Sequence, residues 1–314
     1  MFTRSRFMAV AVCAMSALSA TAAVMPDFPT NVAPLGTVYA GSLIPQGNAC
    51  VNDGNIMTNA DFSDWVAVVW NTPQTLDRII VDLRSGYEIP LYEVQIAKPN
   101  VANPDYTNDA DWYSLGQFSS PNYAFSPAWA TAGVRVKALD YGGFGVARIG
   151  NIWAFENYDN LALQATFSSA GWGSQGFNDE RFSQLYNGGW PSGDTYIYAT
   201  FNDGPVTLAG SCIVGGSGAD NEYLVEYTIE YYDYDLADWV EALSVTGNTN
   251  KMDWRTFDQE GTSDQWRLNV IHVNDANSGA RVSEIMLFAP VPEPATMTLL
   301  VLGGCLALRR RSRR

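Results

Sequence analysis

Three aspartates lie close together in the sequence and are the carboxylates whose spacing could support acid–base chemistry. Asp233, Asp235 and Asp238 fall within one short segment, and hydrolysis of a glycosidic bond needs a pair of carboxylates on either side of that bond. The segment lies between two strand-like runs, however. We therefore expect a solvated hairpin loop rather than a catalytic pair.

Other features that could support catalysis are isolated. His272 is the single histidine, it lies in the strand-like run "NVIHVND", and no serine or cysteine stands in a recognisable motif with it. Residues 171–176 spell G-x-G-x-x-G but lack the βαβ context that a dinucleotide-binding loop requires. A zinc site would need more histidines or cysteines than the chain has. The sequence therefore predicts that the protein is not an enzyme.

The charge distribution excludes several classes of partner. The chain has 33 acidic and 18 basic residues, and seven of the basic residues (Arg4, Arg6 and the five C-terminal arginines) lie in the two ends. No acidic residue precedes Asp27 or follows Glu293. The part between the ends is therefore strongly acidic, which argues against nucleic acid and anionic lipid as partners.

The two ends have the features of export and sorting segments. Arg4 and Arg6 precede an apolar stretch that ends near the A-x-A site Ala20-Thr21-Ala22, so residues 1–22 are predicted to be a signal peptide that signal peptidase removes. At the other end, Val291-Pro292-Glu293-Pro294 precedes the uncharged run 295–308, and arginines follow. As a helix this run would be about 21 Å long, which is short for a membrane span but workable with tilt.

This C-terminal pattern resembles the PEP-CTERM sorting signal of exopolysaccharide-producing Gram-negative bacteria. The resemblance implies that residues 291–314 form a short transmembrane sorting helix, which anchors the protein transiently in the inner membrane. It also implies that an exosortase cuts near the Pro-Glu-Pro, and that the exported protein reaches the cell envelope, the cell surface or the extracellular matrix. An ordinary tail anchor is the alternative for this segment.

Cysteine usage does not indicate a disulfide framework. Cys13 lies in the signal peptide and Cys305 in the C-terminal segment, which leaves Cys50 and Cys212. These two either form a single bridge or are two buried thiols, one in each half of the chain.

The sequence between the ends contains an internal repeat. The segment "ARIGNIWAFEN" at 147–157 returns as "ARVSEIMLFAP" at 280–290, and "NVAPLGTVYAG" from residue 31 pairs with "NLALQATFSSAG" from residue 160. "CVNDGN" from residue 50 also pairs with "FNDERFS" from residue 177. Three matches in the same order predict two copies of one unit, over residues 31–157 and 158–290.

Each unit is predicted to be all-β. Short β-branched or aromatic runs such as "WVAVVW" (65–70), "LYEVQIA" (91–97), "YIYATF" (196–201) and "WRLNVI" (266–271) are separated by clusters of turn-forming residues. Strands at this spacing, in units of about 130 residues, predict two tandem antiparallel jelly-roll sandwiches.

Both units resemble the discoidin, or coagulation factor 5/8 type C, domain of the galactose-binding-like jelly rolls. The first unit carries an opening strand Asn31-Val32-Ala33, the loop Asp53-Gly54-Asn55-Ile56-Met57-Thr58 and then Trp65. The second carries the final strand Ala280-Arg281-Val282-Ser283-Glu284-Ile285. Each unit departs from the pattern once: Asn151 replaces the final-strand acid in the first, and Asn178-Asp179-Glu180-Arg181 lacks the loop glycine in the second.

The resemblance implies one structural calcium ion in each unit, held by oxygen ligands from the loop and the final strand. Carried over by position, the ligands are Asp53, Asn55, Thr58 and Asn151 in the first unit, and Asp179, Ser183 and Glu284 in the second. The alternative is that these Asp-Gly and Asn-Asp steps are tight turns held by their own side chains.

The resemblance also implies a sugar site on loops at one end of a sandwich, where aromatic rings stack on sugar faces. The loop before the last strand offers Tyr141 and Phe144 in the first unit, and Trp172 is the candidate in the second. Six other tryptophans are expected to pack in the core or between sheets: Trp65, Trp70, Trp112, Trp129, Trp190 and Trp239.

Together these features predict a secreted, surface-sorted, non-catalytic binding protein whose partner is an extracellular polysaccharide. A structural protein of the envelope or biofilm matrix, without a defined small ligand, is the alternative. A glycoside hydrolase that uses the acidic loops is a more distant third.

Overall fold

The strands and turns that follow belong to a computed structural model, which describes residues 28–44, 51–54, 60–83, 89–119, 122–142, 145–169, 176–180, 182, 188–189, 195–215, 223–274 and 280–290. Within these ranges the regular structure consists of strands and short 3-10 turns. The strands of the first half are β1 (Thr30–Asn31), β2 (Thr37–Ile44), β3 (Ala60–Gln74), β4 (Arg78–Asp82), β5 (Leu91–Ala97), β6 (Trp112–Phe118), β7 (Asn122–Phe125), β8 (Thr131–Asp140), β9 (Ala147–Ile149) and β10 (Asn151–Glu156). Those of the second half are β11 (Ala165–Ser169), β12 (Gly188–Gly189), β13 (Thr195–Phe201), β14 (Val206–Gly215), β15 (Leu224–Asp233), β16 (Asp238–Val245), β17 (Met252–Ser263), β18 (Gln265–Val273) and β19 (Ala280–Phe288).

These strands form four antiparallel sheets, two from each half of the chain. In the first half, β2-β3-β8-β5-β6 form one sheet, with β9 added beside β3, and β1-β10-β4-β7 form the other. In the second half, β11-β13-β18-β15-β16 form one sheet and β12-β19-β14-β17 the other. We call the first member of each pair the outer sheet and the second member the inner sheet. The predicted all-β fold of tandem antiparallel sandwiches is confirmed.

The strand order shows the internal repeat in three dimensions, because equivalent strands occupy equivalent positions in the two outer sheets. The order β2-β3-β8-β5-β6 in the first corresponds to β11-β13-β18-β15-β16 in the second. Hydrogen bonds repeat as well. The amide of Asn52 donates to Ala33 O and Gly36 O, and the amide of Asn178 donates to Ala162 O and Ala165 O. Each asparagine therefore secures the same turn of its own unit.

One expectation from the resemblance is wrong in detail: the opening strand of the first unit does not continue through Ala33. β1 ends at Asn31 and a 3-10 turn covers Ala33–Leu35, while in the second unit the corresponding turn covers Leu161–Gln164. The Asn31 side chain accepts a hydrogen bond from Ala33 N at 3.1 Å, as Asn160 does from Ala162 N at 3.1 Å. This local bond favours a turn over an extended strand.

Alternating side chains build a separate core inside each sandwich. Along β13, Ile197, Ala199 and Phe201 are buried in the second core, and the residues between them lie on the opposite face. Trp70 and Phe62 on β3 occupy the first core in the same way. Because side chains alternate between the two faces of a strand, these apolar residues lie between the outer and inner sheets.

Four strands of the two inner sheets, β4 and β10 in the first and β14 and β19 in the second, are buried on both faces. Their second faces contribute to one further cluster, which contains Ile80, Trp153, Phe155, Phe182, Cys212, Val214, Met286 and Phe288. The first three of these residues come from β4 and β10, and the last four from β14 and β19. The inner sheets of the two units consequently pack back to back, which gives four layers in the order outer, inner, inner, outer.

The buried cysteine lies in this shared cluster. Cys212 is a free thiol and is fully buried, and burial raises its pKa well above the ordinary value, with Asp253 and Glu284 adding to the effect. A thiol in such surroundings is inert. Cys50 lies outside the described residues.

Candidate functional site

A side-chain hydrogen bond joins the predicted calcium loop of the first unit to strand β10. Asp53 is exposed, and its Oδ1 accepts from Asn151 Nδ2 at 3.0 Å. Asn151 is buried at the start of β10. The final strand therefore offers this carboxylate an amide donor. Asn55 and Thr58, the other predicted ligands of this unit, lie outside the described residues.

The equivalent loop of the second unit presents carboxylates in place of that pair. Glu284, which aligns with Asn151, is fully buried, and its Oε2 accepts from Glu180 N at 3.0 Å. Its Oε1 has no hydrogen-bond partner among the described residues. Burial raises the pKa of Glu284 well above its ordinary value, and the carboxylates of Asp179 and Glu180 raise it further. Ser183 lies outside the described residues.

Glu180 occupies the position of the missing glycine and links the two units. Its φ is 61°, close to the 69° of Gly54 at the same place in the first unit, and a side chain there costs about 1 kcal/mol or more. The buried Glu180 carboxylate accepts from Arg78 Nε on β4 at 2.8 Å and forms a second bond with the same guanidinium. The departure from the family pattern therefore creates an ion pair between the units.

Carboxylate oxygens such as those of the second loop are ligands that a hard cation prefers, but among the described residues no group of three or more potential ligands is arranged to hold a metal. A buried carboxylate oxygen without a partner costs free energy, and a calcium ion would offset that cost. Glu284 and Asp179 are the described residues that would hold such an ion.

We expect calcium to raise the melting temperature Tm of the protein relative to a chelator, and Glu284→Gln to remove the difference. In chelator near neutral pH, Glu284→Gln should itself stabilise the protein by about 1–2 kcal/mol, because it removes the cost of burying an ionisable carboxyl group that has an unpaired oxygen. Thermal melts of both proteins with calcium and with chelator test this. Asp53→Asn serves as the matched variant in the first unit. Identical melts of the wild type in both conditions would contradict the prediction.

The loop-end aromatic residue that can be located is half-buried. Tyr141 packs against the first core, and its hydroxyl accepts from Asp64 N at 2.8 Å. Asp64 has a positive φ of 63°, so this bond stabilises a strained backbone position. Tyr141 thus has a structural contact in addition to any ligand contact. Phe144 and Trp172 lie outside the described residues.

A second group of aromatic side chains lies on the solvent side of the second outer sheet. Trp239 was expected to pack internally; it is half-buried and lies across this open face. We call the group the outer-face cluster. It consists of Tyr196, Tyr198, Glu230, Tyr232, Trp239 and Arg267.

Arg267 stands at the centre of the outer-face cluster. Its guanidinium carbon lies 4.3 Å from the ring centroid of Tyr196 and 4.2 Å from that of Trp239. Its Nε donates to Glu230 Oε2 at 2.6 Å, and Thr228 Oγ1 donates to Glu230 Oε1 at 2.7 Å. Cation–π contact and the ion pair together fix Arg267 and Trp239 on the sheet.

Further aromatic rings surround Trp239. The Tyr198 centroid lies 5.9 Å and the Tyr232 centroid 5.5 Å from the Trp239 ring. Tyr234, in the turn after β15, packs edge-on against Tyr232 at 5.0 Å. The face therefore combines broad rings with a fixed guanidinium and carboxylate, which is a composition suited to binding a polar ligand that also has apolar faces.

The residues considered for catalysis lie in a hairpin turn and on an exposed strand face. Asp233 ends β15, and its Oδ1 accepts from the backbone N–H groups of Asp235 and Leu236 at 2.8 and 3.1 Å. Asp238 begins β16. The aspartates therefore build the predicted hairpin turn. His272 is exposed on β18, as expected for a polar strand residue.

Comparison with known proteins identifies the C-terminal segment. Residues 290–314 match the family model of the PEP-CTERM protein-sorting motif. No curated protein sequence matches the chain. Among the described residues, no helix has the length and apolar character needed to cross a membrane, and residues 291–314 fall outside them.

Solved structures with a similar fold include two carbohydrate-binding proteins. The CBM32-1 and CBM32-2 domains of Clostridium perfringens ZmpB, solved in complex with GalNAc, are 11% identical, with a TM-score of 0.34, over 84% of this chain and 92% of theirs. A fucolectin from striped bass (Morone saxatilis) serum is 14% identical, with a TM-score of 0.33, over 85% of this chain and 100% of its own.

An enzyme also shares similarity with the fold. Allantoicase is 10% identical, with a TM-score of 0.30, over 83% of this chain and 93% of its own. Because one fold can support many functions, the function is argued below from the site. For the C-terminus the result is direct: this chain ends in a PEP-CTERM sorting motif, which indicates an exported protein that is sorted to the cell envelope.

Proposed function

We propose that the protein is a non-catalytic, surface-sorted binding protein for extracellular polysaccharide. The observation that carries the proposal is the outer-face cluster, in which Trp239 lies across an open sheet face beside the Arg267–Glu230 pair. Sugars are bound by aromatic rings that stack on their C–H faces and by polar groups that orient their hydroxyls. Both kinds of group are present on this one face.

Export and processing follow from the two ends. Signal peptidase would remove residues 1–22, and an exosortase would process the C-terminal motif, whose apolar run would hold the protein in the inner membrane until then. The sorting-motif match supports this route. It would deliver the outer-face cluster to the compartment in which extracellular polysaccharide is found.

Substitution of Trp239 tests the proposal. Trp239→Ala should weaken retention in polysaccharide affinity gels by about 30-fold in Kd, because a central aromatic anchor contributes about 2 kcal/mol. Tyr141→Ala and Phe144→Ala are the matched variants for the predicted loop-end site, as is Trp172→Ala in the second unit. Circular dichroism should show an unchanged β-sheet spectrum for Trp239→Ala, since the half-buried side chain lies outside the core of the sandwich.

The outcomes separate the alternatives. Retention that depends on Tyr141, Phe144 or Trp172 and not on Trp239 would move the site to the loop end. No retention by the folded wild type on any polysaccharide would favour a structural matrix protein. Turnover of a glycan that is lost with Asp233→Asn or Asp238→Asn would favour a glycoside hydrolase.

A further inference from the structure

The arginine of the outer-face cluster has an equivalent in the first unit, which the strand register identifies. Arg267 on β18 lies opposite Glu230 on β15. Arg135 on β8 lies opposite Gln95 on β5, at the same place in the first outer sheet. Each arginine donates from Nε to the side-chain oxygen across from it, at 2.6 Å in both cases. The repeat therefore preserves the arginine and its bond but changes the partner from an amide to a carboxylate.

The tryptophan is repeated as well. Glu230 lies opposite Glu241, and Trp239 is two positions before Glu241. In the same way Gln95 lies opposite Ser114, and Trp112 is two positions before Ser114. Arg267 lies 4.2 Å from the Trp239 ring centroid, and Arg135 lies 4.8 Å from that of Trp112. The two faces are thus copies of one arrangement, and they can be compared directly.

In the first unit this arrangement is covered by a segment of the chain itself. The connection between β5 and β6, residues 98–111, lies over it, so that Arg135 is only 1% and Trp112 only 4% exposed. Arg135 Nη1 donates to Tyr106 O at 2.8 Å, and Nη2 donates to Asp109 Oδ1 at 2.6 Å. The Tyr106 ring stacks on Tyr39 with centroids 4.1 Å apart. The covering segment therefore supplies a carbonyl oxygen, a carboxylate and a ring.

In the second unit the corresponding connection, between β15 and β16, is the short turn 234–237. Trp239 is consequently half-buried, whereas Trp112 in the first unit is buried. Among the described residues of the second unit, this connection is therefore too short to cover the surface that residues 98–111 cover in the first.

The charges of the two faces indicate what kind of molecule would bind to the second. In the first unit the residue that accepts from Arg135 on the sheet is the neutral Gln95, and the covering segment supplies the negative charge, on Asp109. In the second unit Glu230 on the sheet already neutralises Arg267. An occupant of the second face therefore needs oxygen atoms and a ring, but no negative charge. The acidic chain, with 33 acidic and 18 basic residues, would also repel a polyanion.

We infer that the outer-face cluster selects uncharged polysaccharides, with a sugar ring on Trp239 in the place that Tyr106 and its neighbours fill in the first unit. This inference rests on the proposed function and specifies its ligand class. Glu230 is then the specificity-determining residue, because it neutralises the guanidinium that would otherwise attract uronates or other acidic sugars.

Affinity electrophoresis of the whole exported protein tests the inference with two panels. The neutral panel is galactomannan, xyloglucan, mixed-linkage β-glucan and dextran, and the acidic panel is alginate, polygalacturonate and hyaluronan. We expect Trp239-dependent retardation by at least one neutral polymer and by none of the acidic ones. Trp239-dependent retardation by acidic polymers alone would overturn the inference and leave the proposed function standing. Absence of Trp239-dependent retardation in both panels would overturn the proposed function.

Glu230→Gln provides an independent check, because it gives the second face the arginine–glutamine pair of the first. The variant should gain affinity for alginate by about tenfold or more at low ionic strength, and about 0.5 M salt should abolish the gain. Glu241→Gln, on the neighbouring strand, is the matched control for the loss of one surface charge. Equal behaviour of Glu230→Gln and the wild type towards every acidic polymer would contradict the role assigned to Glu230.

Discussion

Replacing Arg78 with methionine should lower the melting temperature by on the order of 10 °C. The Glu180 carboxylate is buried between the units, and Arg78 is its ion-pair partner from the other unit. Without Arg78 this buried charge would lose its ion-pair partner from β4 beside the carboxylates of Asp179 and Glu284, a change that costs about 3 kcal/mol. For a protein of this size, each kcal/mol corresponds to about 2–4 °C. Differential scanning calorimetry provides the measurement.

Two variants distinguish the loss of a buried partner from the loss of any ion pair. Glu180→Gly removes the anion, relieves its positive φ of 61° and leaves Arg78 partly in water, so it should cost within about 1 kcal/mol. Arg148→Met breaks the half-buried pair with Asp61 inside the first unit and should also cost about 1 kcal/mol. Equal losses in Arg78→Met and Glu180→Gly would show that burial of Glu180 is not what makes Arg78 important.

Replacing Arg135 with methionine should release residues 98–111 and destabilise the protein by about 2–4 kcal/mol. Arg135 is fully buried and joins Gln95, Tyr106 and Asp109. Its removal leaves a buried amide oxygen and a carbonyl without their donor, and each such group costs about 1–3 kcal/mol. Limited proteolysis should cut the variant within 98–111 at protease concentrations that leave the wild type intact.

Lys137→Met is the matched control for this experiment. Lys137 also donates to Asp109, with Nζ–Oδ2 at 3.1 Å. The lysine is only half-buried, and Asp109 is exposed, so removing the lysine leaves no buried acceptor without a donor. We expect a loss within about 1 kcal/mol and no new cleavage in 98–111. Cleavage of both variants at the same rate would mean that charge on Asp109, and not the buried guanidinium, holds the segment in place.

The strands and the repeat could be predicted because their signals are local. The run "YIYATF" alternates between core and surface along β13, and the asparagines Asn52 and Asn178 stand at matching places in the two units. The packing of the inner sheets was also visible in part. β4 and β19 contain the unbroken apolar runs "IIV" at 79–81 and "IMLF" at 285–288, which are typical of strands buried on both faces.

The outer-face cluster could not be predicted because it depends on register. Tyr196, Arg267 and Trp239 come from three different strands and meet only when those strands pair with a defined offset. A shift of one residue would turn each of them to the core side. The Arg78–Glu180 pair has the same origin, since it joins residues 102 positions apart across two folded units.

The back-to-back packing of the inner sheets directs the two outer faces away from each other, and one of those faces carries its own built-in cover. On the proposed function, each molecule would then hold a glycan chain at a single point, on one side. Such molecules would coat individual polysaccharide fibres and would not cross-link one fibre to another. Any cross-linking of the matrix would have to come from a second attachment, such as the processed C-terminus.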